Sequence, residues 1–323
     1  MAVATKLWRL GLQQAQTSGL SSNSAPLTPL IVLAHGVKFC KEIWQPVVKE
    51  VERRLPEAAA VDFVAFDLPG HGDSALPQSV PVADWVGMTV EAAHIVLAQY
   101  ANGHAPVMAL AHSFGAAALM RLEAQQPGTF SRILAFEPIF IPHAVDPAAV
   151  DLHEFPLAVK ARQQKNGWPD IESARRYFQS RRAFSTWSPD VLERYLTSGL
   201  KQDPDSGEWL LKCNPLVEAD VFAFPPSNFS DLRLSEQTCK YAIAYGELSR
   251  NLDLMAERGG SCTAELYVQL ASLLPGLKHP IVCPGTGHLM VCEQPDLVAK
   301  HCLHYLLGSG LYHDGPQPIT SRL

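Results

Sequence analysis

No apolar run in the sequence approaches the ~18–20 residues that a membrane-spanning helix needs. No Cys-x-x-Cys pair occurs either. The seven cysteines, Cys40, Cys213, Cys239, Cys262, Cys283, Cys292 and Cys302, are odd in number and scattered. That pattern excludes a regular disulfide framework and the usual structural zinc spacings, and it fits a reducing compartment. The first strand–helix turn lacks Gly-x-Gly-x-x-Gly, so a dinucleotide site is not expected. No metal, nucleotide or flavin signature is present, and no cofactor is expected. Excess positive charge is missing too: 26 Lys+Arg against 32 Asp+Glu leave a net charge of −6. This excludes a strongly basic nucleic-acid binder. There is no internal repeat, no low-complexity tract and no secretory signal. No Asp or Glu precedes Glu42, and Met1–Leu30 carries Lys6, Arg9 and several Ser. That composition is weakly like an organellar transit segment, but a short strand followed by a polar linker accounts for residues 1–28 as well.

What is present is a globular composition, with 47% hydrophobic and 18% charged residues in 323. Apolar runs alternate with helical patterns. Pro29–Ala34, Val61–Phe66, Pro106–Ala111, Ile133–Phe136, Tyr241–Tyr245 and Ile281–Cys283 read as strands. Ile43–Arg54, Trp85–Tyr100, Gly115–Ala124 and a segment around Pro295–Leu307 read as helices. Strands that are apolar throughout, alternating with helices, predict an α/β fold with a mostly parallel sheet covered on both faces. The stretch from about Pro138 to Lys240 breaks the alternation. It predicts helices at Ile171–Gln179 and Pro189–Gly199, with turns at Asp203-Pro204-Asp205-Ser206-Gly207. The expected organisation is therefore a core in two parts, 29–137 and 240–310, interrupted by a helical cap at 138–239 and followed by a tail at 311–323.

Ala111-His112-Ser113-Phe114-Gly115 follows an apolar strand and opens a small-residue helix. This is the setting of a nucleophile elbow, where a strained turn projects a serine hydroxyl from the end of a strand. Ala111 stands where the first glycine of Gly-x-Ser-x-Gly is usual. Gly285-Thr286-Gly287-His288 follows the last strand and precedes the final helix. A histidine there is placed to act as general base for Ser113. His112 reads as a packing residue whose side chain points away from that of Ser113. His301 and His304 share the last helix without a third ligand, which reads as surface polarity rather than a metal site.

With His35-Gly36-Val37 and Asp67-Leu68-Pro69-Gly70-His71-Gly72-Asp73-Ser74, these motifs stand in the order found in the α/β-hydrolase fold. The chain resembles that family from about Leu30 to Leu307, on HGVKFCKEIW, DLPGHGDS, AHSFGA and GTGHLMVCEQP. It is also similar to fungal peroxisomal α/β-hydrolases, a lipase and toxin-biosynthesis hydrolases among them. The resemblance implies a cap inserted after the sixth strand and an oxyanion hole made by the Val37 and Phe114 amides. The Gly-rich turn DLPGHGDS itself reads as structural, its glycines serving tight backbone geometry and Asp73 and Ser74 bonding locally. The triad acid departs from the common pattern. After the seventh strand the usual Asp position holds Ser249, which cannot carry the charge. Glu137, in Phe136-Glu137-Pro138 at the neighbouring strand end, is the expected acid, with Asp253 and Glu247 as alternatives.

The expected activity is serine carboxylester hydrolysis of an apolar small molecule or lipid. Alternatives are acyl-CoA thioester hydrolysis, acyl transfer to an alcohol, and non-catalytic ligand binding on the same fold. Phe155, Trp168, Tyr177, Phe178, Phe184, Trp187 and Tyr195 could line an acyl site or form the cap's own core. Lys160, Arg162, Lys165, Arg175, Arg176, Arg181 and Arg182 could meet phosphates but read better as a solvated face. Ser321-Arg322-Leu323 keeps the small–basic–Leu pattern of a peroxisomal address read by an import receptor. The Pro/Gly-rich residues before it are expected to hold it clear of the core.

Overall fold

Near-continuous apolar strands build the central sheet because each is covered on both faces. In the computed structural model, residues 1–11, 27–57, 59–76, 84–140, 155–223, 238–250, 263–274, 276–277 and 279–308 are described. Asp253, Cys262, the tail with Ser321-Arg322-Leu323 and most of the expected linker after the first strand lie outside them.

In chain order, β1 (Thr5–Leu10) and β2 (Thr28–Ala34) precede α1 (Gln45–Arg54), β3 (Val61–Phe66) and α2 (Trp85–Tyr100). Then come β4 (His104–His112), α3 (Ser113–Gln125) and β5 (Arg132–Phe136). The segment after β5 holds α4 (Pro156–Arg162), β6 (Gly167–Trp168), α5 (Ile171–Gln179) and α6 (Pro189–Ser198). Its described part goes on with β7 (Leu200–Gln202), β8 (Trp209–Leu211) and α7 (Pro215–Phe222). β9 (Lys240–Gly246), a helix at Thr263–Leu273, β10 (Ile281–Cys283) and the helices Met290–Glu293 and Pro295–His301 follow, the last continuing into a helical turn at Cys302–Leu306.

Among the described residues the central sheet has seven strands in the order β1-β3-β2-β4-β5-β9-β10. Only β1 runs antiparallel, against β3; the other ladders are parallel. Along β2, Leu30, Val32 and Ala34 enter one core, and Ile31 and Leu33 the other. The first core packs α2, α3 and Thr263–Leu273 against one face. The second packs α1 and the C-terminal helix against the other. A parallel sheet collects its strand C-termini along one edge, and there the chain departs from regular structure.

The break in the alternation follows Phe136. The resemblance numbers this strand the sixth of the family's sheet; among the described residues it is the fifth in chain order. The inserted segment also departs from the expectation of helices with loops. It contains a three-stranded sheet in the order β6-β8-β7. Asp203–Gly207 is the turn between β7 and β8, where Asp203 Oδ1 accepts the N–H groups of Asp205 and Ser206 at 3.1 and 2.8 Å. Trp168, Phe178, Trp187 and Tyr195, four of the seven aromatic residues expected to line an acyl site or form the cap's core, are buried and pack on one another. Phe39, from the core, stacks edge-on against Trp187 and Tyr195 with centroids 5.5 and 6.2 Å away. No helix among the described residues is long and apolar enough to cross a membrane.

Candidate active site

Ser113 begins α3 at the end of β4 with φ 54°. For a residue with a side chain this left-handed backbone costs roughly 1–2 kcal/mol, and it turns the side chain out of the strand. The turn is tight because α3 and the segment after β2 nearly touch. A Cβ on Gly115 would lie 2.3 Å from the carbonyl oxygen of His35. Ala111 replaces the usual glycine without conflict, since its neighbours across both ladders, Ala34 and Ala135, are equally small.

His288 sits in the loop after β10. Its Nε2 is 3.1 Å from Ser113 Oγ and its Nδ1 2.5 Å from Glu137 Oε2. A carboxylate accepts only, so Nδ1 carries the proton and Nε2 presents its lone pair to the serine hydroxyl. The loop is held from several sides. His112 Nε2 donates to the His288 carbonyl at 2.8 Å. Glu293 Oε2 accepts the Gly287 N–H at 2.8 Å, and its Oε1 accepts the Thr186 hydroxyl at 3.0 Å. Thr286 O accepts the Leu248 N–H at 2.9 Å. A Cβ on Gly246 would sit 2.5 Å from the carbonyl oxygens of both Thr286 and Gly287, so only glycine lets β9 approach the loop this closely.

Glu137 is fully buried and also left-handed, with φ 44°. Its Oε1 accepts the Gly246 N–H at 2.8 Å, and its Oε2 accepts the Ser249 hydroxyl at 2.8 Å. The residue at the usual acid position therefore bonds to the carboxylate expected to replace it. Of the alternative acids, Glu247 turns elsewhere, with its Oε2 accepting the Gly285 N–H at 2.9 Å. Asp253 lies outside the described residues.

Val37 is in the turn after β2, closed by Phe39 N–H to Gly36 O at 3.4 Å. Phe114 is in the first turn of α3, where backbone N–H groups have no acceptor within the helix. His35 fixes the turn from beneath: Nδ1 donates to Gly36 O at 2.8 Å, and Nε2 accepts the Leu68 N–H at 3.2 Å. Lys38, the next residue after Val37, has φ 81°. It reaches the inserted segment, where its Nζ donates to Gln164 Oε1 at 2.5 Å and lies 3.5 Å from Glu218 Oε1.

The Asp67–Ser74 turn is braced more widely than its sequence suggests. Ser74 Oγ does bond locally, donating to Asp67 O at 2.8 Å, and Asp73 N–H donates to Asp67 Oδ2 at 2.8 Å. The Asp73 carboxylate also accepts from Lys41 Nζ at 2.8 Å and from Lys212 Nζ, in the inserted segment, at 2.6 Å. Lys41 reaches Asp67 through both its N–H and its Nζ, at 2.6 and 2.7 Å. Burial pushes the Asp67 carboxyl upward, but the Lys41 ammonium beside it outweighs this and holds the carboxyl below the usual carboxylate value.

Two expectations about other groups change. His301 is not surface polarity: it is 3% exposed, packs beside the Phe136 ring, and its Nε2 lies 3.8 Å from Cys283 Sγ. His112, expected only to pack, instead ties the backbone of His288. The basic side chains after Phe155 are mostly exposed or paired within the segment. Arg175 pairs with Glu172 and Glu193, and Arg181 covers the Tyr177 ring at 4.4 Å. Among the described residues, no group of three or more His, Cys, Asp or Glu side chains could hold a metal ion.

The sequence profile of the Alpha/beta hydrolase family matches residues 31–301. The chain belongs to that family. No curated protein sequence matches it. Among solved structures, the chain is similar to the peroxisomal α/β-hydrolase Lpx1 of Saccharomyces cerevisiae. The TM-score is 0.67 at 18% identity over 98% of this chain and 92% of that one. It is also similar to a thioesterase domain from the curacin biosynthetic pathway, with TM-score 0.64 and 16% identity over 94% and 100% of the two chains. A Mycobacterium tuberculosis esterase gives 0.63 and 16% over 94% and 92%. Family and neighbours together support hydrolase activity.

Proposed function

We propose that this protein is a serine hydrolase that cleaves a carboxylic ester of an apolar small molecule or lipid through an acyl-enzyme. The observation that carries the reading is the pair of contacts at His288, 3.1 Å to Ser113 Oγ and 2.5 Å to Glu137 Oε2. In this reading Ser113 Oγ attacks the ester carbonyl carbon while its proton passes to His288 Nε2. Glu137 keeps the imidazole in the required tautomer and stabilises the imidazolium. The Val37 and Phe114 N–H groups hold the oxygen that becomes negative, each donor worth roughly 10²–10³ in rate. The carbon–oxygen bond to the alcohol then breaks, and the alcohol leaves with the proton from Nε2. Water, deprotonated by the same nitrogen, attacks the acyl-enzyme and releases the acid and Ser113.

The segment 138–239 acts in this proposal as a cap over the Ser113 edge. Two ties support it, Lys38 to Gln164 and Glu218, and Asp73 to Lys212. Peroxisomal residence is proposed on the description of the yeast relative. A fluorescent fusion, with and without Ser321-Arg322-Leu323, tests it.

The deciding experiment assays wild type and Ser113→Ala against p-nitrophenyl esters and acyl-CoAs of graded length, with fluorophosphonate labelling alongside. Ester turnover that falls roughly 10⁴–10⁶-fold in the variant, with labelling lost, is expected. Preferential turnover of acyl-CoAs would replace the ester reading with thioester hydrolysis. Absence of both labelling and turnover in the wild type would leave ligand binding on the same fold.

A further inference from the structure

We infer that Ser249 is a positioning residue: its hydroxyl fixes the Glu137 carboxylate oxygen that orients His288. The inference rests on the proposed roles of Ser113, His288 and Glu137. Three observations lead to it. First, β9 ends by wrapping the carboxylate. The Gly246 N–H takes Oε1, Ser249 N–H returns to Gly246 O at 3.0 Å to close the turn, and Ser249 Oγ takes Oε2 at 2.8 Å. Second, the contact is enclosed, since Glu137 is 0% and Ser249 7% exposed. Water therefore has little access to replace the hydroxyl, and a buried carboxylate depends on its protein donors. Third, a glutamate has one more rotatable bond than the aspartate usual in such triads, so more freedom must be removed to hold its oxygen still. Oε2 receives His288 and Ser249 together. Without the hydroxyl, the imidazole is the one donor left on that oxygen among the described residues, and the Gly246 N–H constrains it only through Oε1.

A serine at this position has two separable roles, filling space or donating a hydrogen bond. Space filling is kept by alanine to within one oxygen atom; donation is lost in alanine and kept in threonine. A hydrogen bond to a charged group corresponds to about a 10–100-fold effect. The test compares wild type, Ser249→Ala and Ser249→Thr as full chains, reading kcat and KM on the best ester together with thermal unfolding. It also follows the proton resonance of His288 Nδ1–H, which a bond to a carboxylate at 2.5 Å shifts far downfield. Expected for Ser249→Ala are kcat lowered about 10–100-fold, KM little changed, and the resonance shifted or broadened, with both recovered in Ser249→Thr. An alanine variant with kcat within about twofold of wild type and an unchanged resonance would overturn the inference. A wild type with no Ser113-dependent turnover would overturn the proposed function instead, and the resonance alone would then decide whether Ser249 fixes Glu137.

Discussion

His112 Nε2 donates to the backbone carbonyl of His288 at 2.8 Å, with the two rings 4.9 Å apart. The residue before the proposed nucleophile thus holds the backbone of the proposed base, 176 residues further along the chain. Burial keeps the His112 imidazole neutral, and the neighbouring His288 adds to this, so its pKa lies well below the usual histidine value. One nitrogen donates to the carbonyl, and Nδ1 faces Gly36, where a Cβ would come within 2.9 Å. Replacing His112 with Leu removes the tie without adding bulk. The expected result is a fall in kcat of roughly tenfold, from one lost hydrogen bond. Steady-state kinetics on the ester found in the panel checks it.

Gly246→Ala is expected to be far more damaging than an ordinary glycine replacement in a strand. Its Cβ would press on the Thr286 and Gly287 carbonyls at 2.5 Å. The loop must move, and His288 moves with it. Displacement of a reacting group by about 1 Å costs on the order of 10²-fold in rate. The fluorophosphonate labelling rate of Ser113 should fall by about that factor while the far-ultraviolet spectrum stays native.

The acid slot is bordered by two strand ends, so it is open to relocation. Glu137→Ala is expected to lower kcat by about 10³–10⁴, the scale for loss of a triad acid. Adding Ser249→Asp to that variant places a carboxylate at the end of β9, on the turn that already bonds to Glu137 Oε2. Partial recovery of tenfold or more is expected in the double variant. In the Glu137 wild-type background the same Ser249→Asp should instead be harmful, because two carboxylates in contact disfavour each other's charge. A four-variant comparison of kcat reads both signs.

Stability should fall as pH drops below about 6.5. Burial depresses the pKa of His71 to about 4 and that of His301 to about 4. The unfolded chain binds these protons near the ordinary value of about 6.5, and the folded chain only near 4. Each group therefore contributes stability that is complete above about 6.5 and lost progressively as pH falls towards 4. The slope reaches about 1.4 kcal/mol per pH unit for each histidine. Urea midpoints at pH 7, 6 and 5 measure it, and His301→Leu should flatten the dependence by about half of the part these two residues supply.

Much of the core was legible because each strand is apolar along its whole length. Val61–Phe66 and Ile281–Cys283 have in the structure the bounds their residue types indicate. The three-stranded sheet after Phe136 was not legible, since strands of two or three residues leave no periodicity to read. At the site, Ser113, Glu137 and His288 were picked from strand-end positions, and the structure brings all three within hydrogen-bond distance. Ser249 was read only as a missing charge, because a sequence reveals what a side chain lacks more readily than which partner its hydroxyl meets. His112 acts on His288, 176 residues on, and Gly246 on the Thr286–Gly287 loop and on Glu137, 109 residues back, so nothing in their local sequence points to these contacts. His301 was misread because a helix pattern places it beside His304 but does not say that Phe136 covers it.

Lys38, Ser113 and Glu137 are the non-glycine residues with left-handed backbone among those described, and all three follow strand ends on one edge of the sheet. Each holds roughly 1–2 kcal/mol of backbone strain that a glycine would relieve. Selection for heat resistance alone would therefore favour glycine at these positions. At Ser113 and Glu137 that change would remove a group proposed to react or to orient, so an enzyme evolved in the laboratory for survival at high temperature without an activity screen would be drawn towards losing its proposed chemistry. Lys38 is the exception, where the strain could be released and the proposed chemistry kept.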